Sequence, residues 1–86
     1  MTNRSHKRTI LVTGGGGFIG FHIGKDLVEK GHSVLLFDIN RPDSEWGEHN
    51  IPFFKGNLLD SASLEKAFED AQCVIHCGKE HIKILL

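Results

Sequence analysis

The sequence predicts an α/β fold, the truncated first half of a doubly wound parallel sheet. Four strands are expected in the order 3-2-1-4, with one main helix on each face. Three observations carry that prediction. Short β-branched runs alternate with amphipathic stretches as strand, helix, strand, strand, helix, strand, which is βαβ logic. Glycines crowd the first junction between the two periodicities, as TGGGGFIG over residues 13–20. An acid, Asp38, ends the second strand run.

Thr9–Thr13 (TILVT) is too short for a buried helix and is bounded by glycine, so it reads as a strand buried on both faces. From Phe18 to Lys30 the period becomes helical. Ile19, Ile23 and Leu27 recur at i, i+4, i+8, while Lys25, Glu29 and Lys30 lie elsewhere on the helix. Gly20 and Gly24 form a flat strip that would bring the helix close to a sheet, and Gly31 stands where a helix C-terminus wants it. Ser33–Asp38 (SVLLFD) is a second buried strand, followed by a polar loop, INRPDSEWGEHN. Ile51–Lys55 (IPFFK) is a third strand, at an edge because Pro52 cannot donate to a ladder. Asp60 or Ser61 can cap a second helix, with Leu64, Ala67, Phe68 and Ala71 inward and Glu65, Lys66, Glu69 and Asp70 outward. Cys73–Cys77 (CVIHC) is the fourth strand.

The chain has 86 residues, a formal net charge of −1 and 40% hydrophobic residues. That composition fits one small domain and argues against nucleic acid as a partner. Residues 1–8, MTNRSHKR, form a basic leader, but only Ile10–Val12 follows before the glycines. A signal peptide needs an apolar core of about 7–15 residues, and a membrane span roughly 20. A soluble, cytoplasmic chain is the default expectation. Cys73 and Cys77, four apart on a strand, would lie ~13 Å apart at about 3.3 Å per residue, beyond the ~7 Å that a disulfide spans. Cys73, His76, Cys77 and His81 match no paired-ligand zinc spacing. The cysteines read as small buried hydrophobes, and no metal site is expected.

The glycine cluster follows a strand, opens a helix and precedes Asp38, the context that makes a dinucleotide fingerprint credible. Gly14 would allow the tight turn, Gly17 the approach of a pyrophosphate, and Gly20 close helix–strand packing. The phosphate would sit on the amides of Phe18 and Ile19 at the helix N-terminus. Asp38 would accept from the adenosine ribose hydroxyls and repel a 2′-phosphate, so NAD is expected rather than NADP. Arg41 could meet such a phosphate but reads as a solvated loop residue.

T-G-x-x-G-x-x-G, occupied by Thr13, Gly14, Gly17 and Gly20, resembles the extended short-chain dehydrogenase/reductase family, the NAD-dependent epimerase/dehydratase-like enzymes. The resemblance runs through almost all of residues 9–78 and implies a Rossmann-type NAD(P)-binding half-domain there. VLLFDI resembles the family's second strand. FFKGNLLD is similar to its G-D-[IL]-x-D segment beside the adenine, with Asn57 in place of the first Asp. The resemblance therefore implies that Asn57 meets the adenine amino group and that Leu58 lines the adenine pocket. VIHCG resembles the V-x-H-x-A stretch, Gly78 replacing Ala, which implies that His76 runs past the diphosphate and nicotinamide ribose. Together, the TGGGGFIG loop, the FDI ending and the IHC stretch look most like the 3β-hydroxysteroid (sterol) dehydrogenase/isomerase branch. Sugar-nucleotide epimerases and dehydratases share most of these features.

In that family the chemistry comes from a Tyr-x-x-x-Lys pair, the tyrosine acting as general base. This chain contains no tyrosine. After Gly78 it reads KEHIKILL, unlike the family's continuation, so 79–86 is expected to be a divergent tail without a substrate domain. The chain is accordingly expected to be a fragment, a splice form or a misplaced gene end, inactive by itself, with no catalytic residues. A steroid or sterol substrate would belong only to a full-length relative. A non-catalytic nucleotide-binding or interaction module is the alternative. His22, His32, His49 and His81 read as scattered and solvated. Cys73–Cys77 is expected to be an exposed sheet edge through which copies associate, with Ile82, Ile84, Leu85 and Leu86 adding apolar surface.

Overall fold

The structure is a computed structural model that describes residues 9–69, 71–78 and 82–85. The basic leader, Asp70, His81 and Leu86 lie outside the described residues. One sheet contains β1 (Thr9–Thr13), β2 (Ser33–Asp38), β3 (Phe53–Lys55), β4 (Cys73–Cys77) and β5 (Ile82–Leu85), in the order β3-β2-β1-β4-β5. Two helices, α1 (Phe18–Glu29) and α2 (Ser61–Phe68), and a 3-10 turn (Ser44–Trp46) complete it.

Central β1 runs parallel to β2 and β4, with Thr13 opposite both Phe37 and His76. The C-terminal ends of these three strands are therefore level. β3 is parallel to β2 and sets Lys55 opposite Asp38. The expected 3-2-1-4 order is present, and Pro52 precedes the outer strand. Its carbonyl accepts from the Leu36 amide at 2.9 Å, and β3 starts at Phe53, two residues later than the apolar run suggested.

The chain leaves β1 toward β3 through α1 and returns across β1 through α2. Right-handed crossovers in opposite directions must cover opposite faces, and they do. Ile10, Val12, Val34, Leu36, Cys73 and Ile75 pack on the α1 side with Phe21. Leu11, Phe37 and Val74 pack on the α2 side with Leu64, Ala67 and Ala71.

Two details of the helices differ from expectation, and the C-terminal glycine of α1 agrees with it. Ile19 is exposed, and fully buried Phe21 takes its place. The cause is the glycine strip: α1 lies on Gly20 and Gly24, where an added Cβ would strike the Gly14 carbonyl and stand 2.7 Å from Leu36 Cδ2. Rotating that strip onto the sheet turns Ile19 outward. Phe68 is likewise exposed, because α2 ends there and only Leu64, Ala67 and Ala71 reach the sheet. At the end of α1, Gly31 (φ 95°) donates to Val28 O at 2.9 Å and His32 to Leu27 O at 3.1 Å. This is the paired closure of a Schellman motif.

The larger correction concerns the tail. Residues 82–85 pair antiparallel with β4, Ile84 opposite Ile75 and Ile82 opposite Cys77, so β4 is not the edge. A bare β4 would leave a row of unpaired backbone groups, and IKIL supplies their partners. The edge becomes β5, on which Ile82 and Ile84 are exposed. No helix among the described residues is long and apolar enough to cross a membrane.

Candidate functional site

The level ends of β1, β2 and β4 open into a groove of about 730 Å³. Its lining includes every residue assigned to the cofactor from sequence: Gly14, Gly17, Phe18, Ile19, Gly20, Asp38, Asn57, Leu58 and His76. Phe37, Ile39, Gly56, Cys77 and Gly78 line it as well.

The floor is the glycine turn. Gly14 has φ 75°, and an added Cβ there would strike the Cys77 carbonyl of β4. The Gly17 amide donates to Gly14 O at 3.1 Å, closing the turn, and Gly15 donates to Phe37 O at 3.1 Å. The turn delivers α1 to the groove by its N-terminus, with Gly17 as N-cap and no side-chain cap. Such an end presents amides without intrahelical partners and the positive end of the helix dipole. Gly17 differs from its neighbours. A Cβ there would meet no heavy atom nearer than Gly14 O at 3.5 Å. Neither the fold nor the backbone angle (φ −84°) requires glycine at 17.

Asp38 ends β2 beside this turn. Its Oδ2 accepts from the Gly16 amide at 2.9 Å and its Oδ1 from the Ile39 amide at 2.6 Å. A carboxylate offers about four acceptor positions, so capacity remains toward the groove. Arg41 is drawn off: its guanidinium lies 5.0 Å from the Phe53 ring centroid, two rungs below the Asp38–Lys55 pair.

Asn57 is tied into its own turn, Oδ1 accepting from the Leu59 amide at 2.9 Å and its carbonyl from Asp60 at 2.9 Å. One Oδ1 lone pair and the side-chain NH2 are left over. Leu58 and Ile39 are both exposed apolar residues on the groove wall. Sequence reasoning missed Ile39; its signal is an apolar residue just past the strand-ending acid, where no core position remains to hold it.

His76 is held from beneath. Thr13, 1% exposed, places Oγ1 2.6 Å from His76 Nδ1. A buried hydroxyl must donate somewhere, and Nδ1 is its only hydrogen-bond partner among the described residues. With the Thr13 hydroxyl donating, Nδ1 is the acceptor and the Nε2 edge is left to face the groove. Cys77, next along β4, is a free thiol whose pKa is pushed up by burial.

The loop after β2 is not simply polar and solvated. Trp46 packs on Phe18, Phe21 and His22 of α1, and half-buried His49 packs on Phe21 with ring centroids 4.9 Å apart. Nothing in the loop's spacing announces that fold-back, and it corrects the reading of His49 as solvated. His32 is likewise half-buried.

The family model for the NAD dependent epimerase/dehydratase family matches residues 10–83. The chain belongs to this family. Short-chain dehydrogenase/reductase family 42E member 1 of Macaca fascicularis is 47% identical over 75 residues, which cover 85% of this chain and 19% of that protein. The Thermus thermophilus UDP-glucose 4-epimerase, solved in complex with NAD, superposes with a TM-score of 0.67 at 37% identity, covering 81% of this chain and 24% of that one. The Bordetella bronchiseptica enzyme WbmH, solved in complex with NAD+, gives 0.70 at 30% identity, with coverage of 88% and 27%. The chain thus spans about a fifth of the length of the curated relatives it matches. NAD is the cofactor of this family.

Proposed function

We propose that this chain is the N-terminal, NAD-binding part of an oxidoreductase, its groove taking the adenosine diphosphate half of the dinucleotide. One observation carries the reading: at a helix N-terminus with no side-chain cap, a Cβ on Gly17 would make only an ordinary contact with Gly14 O at 3.5 Å, so the fold does not require the glycine that a pyrophosphate would need there. The pyrophosphate would rest over Gly17 on the amides of Phe18 and Ile19. Asp38 would accept from the adenosine ribose hydroxyls, and its charge disfavours a 2′-phosphate. The adenine would lie along Leu58 and Ile39, beside Asn57. His76 would turn its Nε2–H toward the diphosphate and nicotinamide ribose. When bound, the cofactor supplies hydride chemistry; these residues bind and orient it.

The substrate reading rests on resemblance. The TGGGGFIG loop, the FDI ending and the IHC stretch favour a steroid or sterol hydroxyl in a full-length protein. A sugar-nucleotide epimerase is the second reading, favoured by likeness to the Thermus enzyme. The 86 residues contain no tyrosine, so by themselves they bind without turnover, and a non-catalytic nucleotide-binding module has the same requirement. Copies would associate through the β5 edge. Titration calorimetry with NAD, ADP-ribose and NADP tests the site. ADP-ribose should bind about as well as NAD, and NADP more weakly. Binding that needs the nicotinamide, or measurable dehydrogenase turnover, would defeat the reading. A transcript carrying Tyr-x-x-x-Lys downstream separates oxidoreductase from binding module.

A further inference from the structure

We infer that Trp46, in the loop after β2, is a positioning residue that holds Phe18 against the groove and so sets the groove's width at the N-terminus of α1. The inference rests on the cofactor reading above and adds a residue outside the groove lining to it. The Trp46 ring stands edge-on to Phe18, with centroids 5.4 Å apart and planes at 84°. It also packs on Phe21 at 5.6 Å. Phe21 is fully buried against the sheet, so that second contact anchors the indole to the core.

Phe18 needs such a neighbour. It is 59% exposed and lines the groove. Its other ring contact is His22, at 4.2 Å, which is itself exposed. An exposed aromatic side chain hops between rotamers on the picosecond-to-nanosecond scale, and a ligand that immobilises it loses affinity for doing so. An indole fixed to the core removes that loss in advance.

The loop carrying Trp46 is pinned at several points. Asp43 Oδ1 accepts from the Glu45 amide at 2.9 Å, and the Asp43 carbonyl from the Trp46 amide at 3.1 Å. Arg41 lies over Phe53, and His49 packs on Phe21. The loop begins at Ile39, a groove-wall residue. The indole therefore fixes the loop that follows Ile39 to Phe18 and to the core beneath it.

The test is calorimetric titration of ADP-ribose into the 86-residue chain and its W46A, W46F, F18A and F18A/W46A variants. W46A should weaken binding about two- to twelvefold, the worth of an edge-to-face aromatic pair expressed as affinity. W46F, which keeps a ring edge, should stay within about twofold of wild type. In the F18A background, removing Trp46 should change nothing further. A merely structural tryptophan would weaken binding in either background. Should W46A not fold, W46L keeps apolar volume against Phe21, offers no ring edge, and should show the same loss. W46A or W46L binding like wild type, W46F binding as poorly as either, or additive losses with F18A would overturn the inference. If wild type itself does not bind ADP-ribose, the cofactor reading fails and this inference with it. If wild type binds and W46A matches it, the inference alone falls.

Discussion

The Gly16 amide donates to Asp38 Oδ2 at 2.9 Å, so the acid that ends β2 holds the glycine turn that ends β1. Asp38 therefore has one task toward its own chain and, in the reading proposed above, a second toward a ligand. Asp38→Ala removes both. It should cost roughly 1–3 kcal/mol of ADP-ribose binding, the range for a charge-assisted hydrogen bond, and should narrow the NAD–NADP gap. Calorimetry with the three ligands reads both effects; undiminished discrimination against NADP would clear Asp38 of the specificity role.

Two glycines three residues apart should respond in opposite ways. Gly17→Val should cost the fold no more than its poorer N-cap propensity, about 1 kcal/mol, since the Cβ meets nothing nearer than 3.5 Å, yet abolish ADP-ribose binding. Gly20→Ala drives a methyl into the Gly14 carbonyl and should cost about 1–3 kcal/mol, as overpacking does. Thermal melts by circular dichroism, paired with the titrations, distinguish a ligand's glycine from a fold's.

Thr13→Val keeps the shape of the buried side chain and removes the donor to His76. The His76 Nδ1 loses its hydrogen bond, and its nitrogen shift should move in NMR. Losing one hydrogen bond costs about 0.5–1.5 kcal/mol, and for a domain of this size each kcal/mol lowers Tm by about 4–8 °C. An unchanged Nδ1 shift would mean that something other than Thr13 holds the ring.

Cys77 should react slowly with iodoacetamide at neutral pH, because burial favours its thiol over the thiolate. Saturating ADP-ribose should slow it further. The same shift fixes a pH trend. With the folded pKa above the unfolded one, the contribution is fully present below about pH 8.5 and is lost as pH rises through the folded value. Urea titrations from pH 8 to 10, compared with Cys77→Ser, test this; a thiol reacting at the free-cysteine rate would contradict it.

Much of this architecture is legible in the chain because strands and turns announce themselves locally. TILVT, SVLLFD and CVIHC are β-branched or apolar runs with punctuation at both ends, and they became β1, β2 and β4 with the bounds read from sequence. The groove was legible because the glycine spacing, the strand-ending acid and the IHC stretch each sit at a strand's C-terminal end. What stayed hidden depends on tertiary choice. Ile19 and Phe21 lie close together on one helix, and only the glycine strip's contact with the sheet decides which is buried. Trp46 looks like any loop residue until the chain folds back onto α1. KEHIKILL resembles nothing upstream, and its Ile-Lys-Ile alternation is too brief to outweigh that.

Exposed Ile82 and Ile84 on β5, the edge strand among the described residues, invite association. Ile84→Lys should lower the weight-average mass seen by sedimentation without lowering Tm. The wild-type chain should melt below about 60 °C, the upper part of the mesophile range. A monomeric wild type at high concentration would show that the edge is protected.

β5 reaches the sheet differently from its fellows. The parallel pairs join segments far apart in sequence, whereas four residues separate Cys77 from Ile82. Closing a short loop costs little entropy and little time. β5 can therefore detach and rejoin while β1, β2 and β4 stay assembled, a local opening well below the free energy of the whole domain. In hydrogen exchange, amides of Ile82–Leu85 would equilibrate with solvent first and those of Leu11 and Val12 last. A segment of another chain would have only the β5 hairpin arm to displace before pairing with β4.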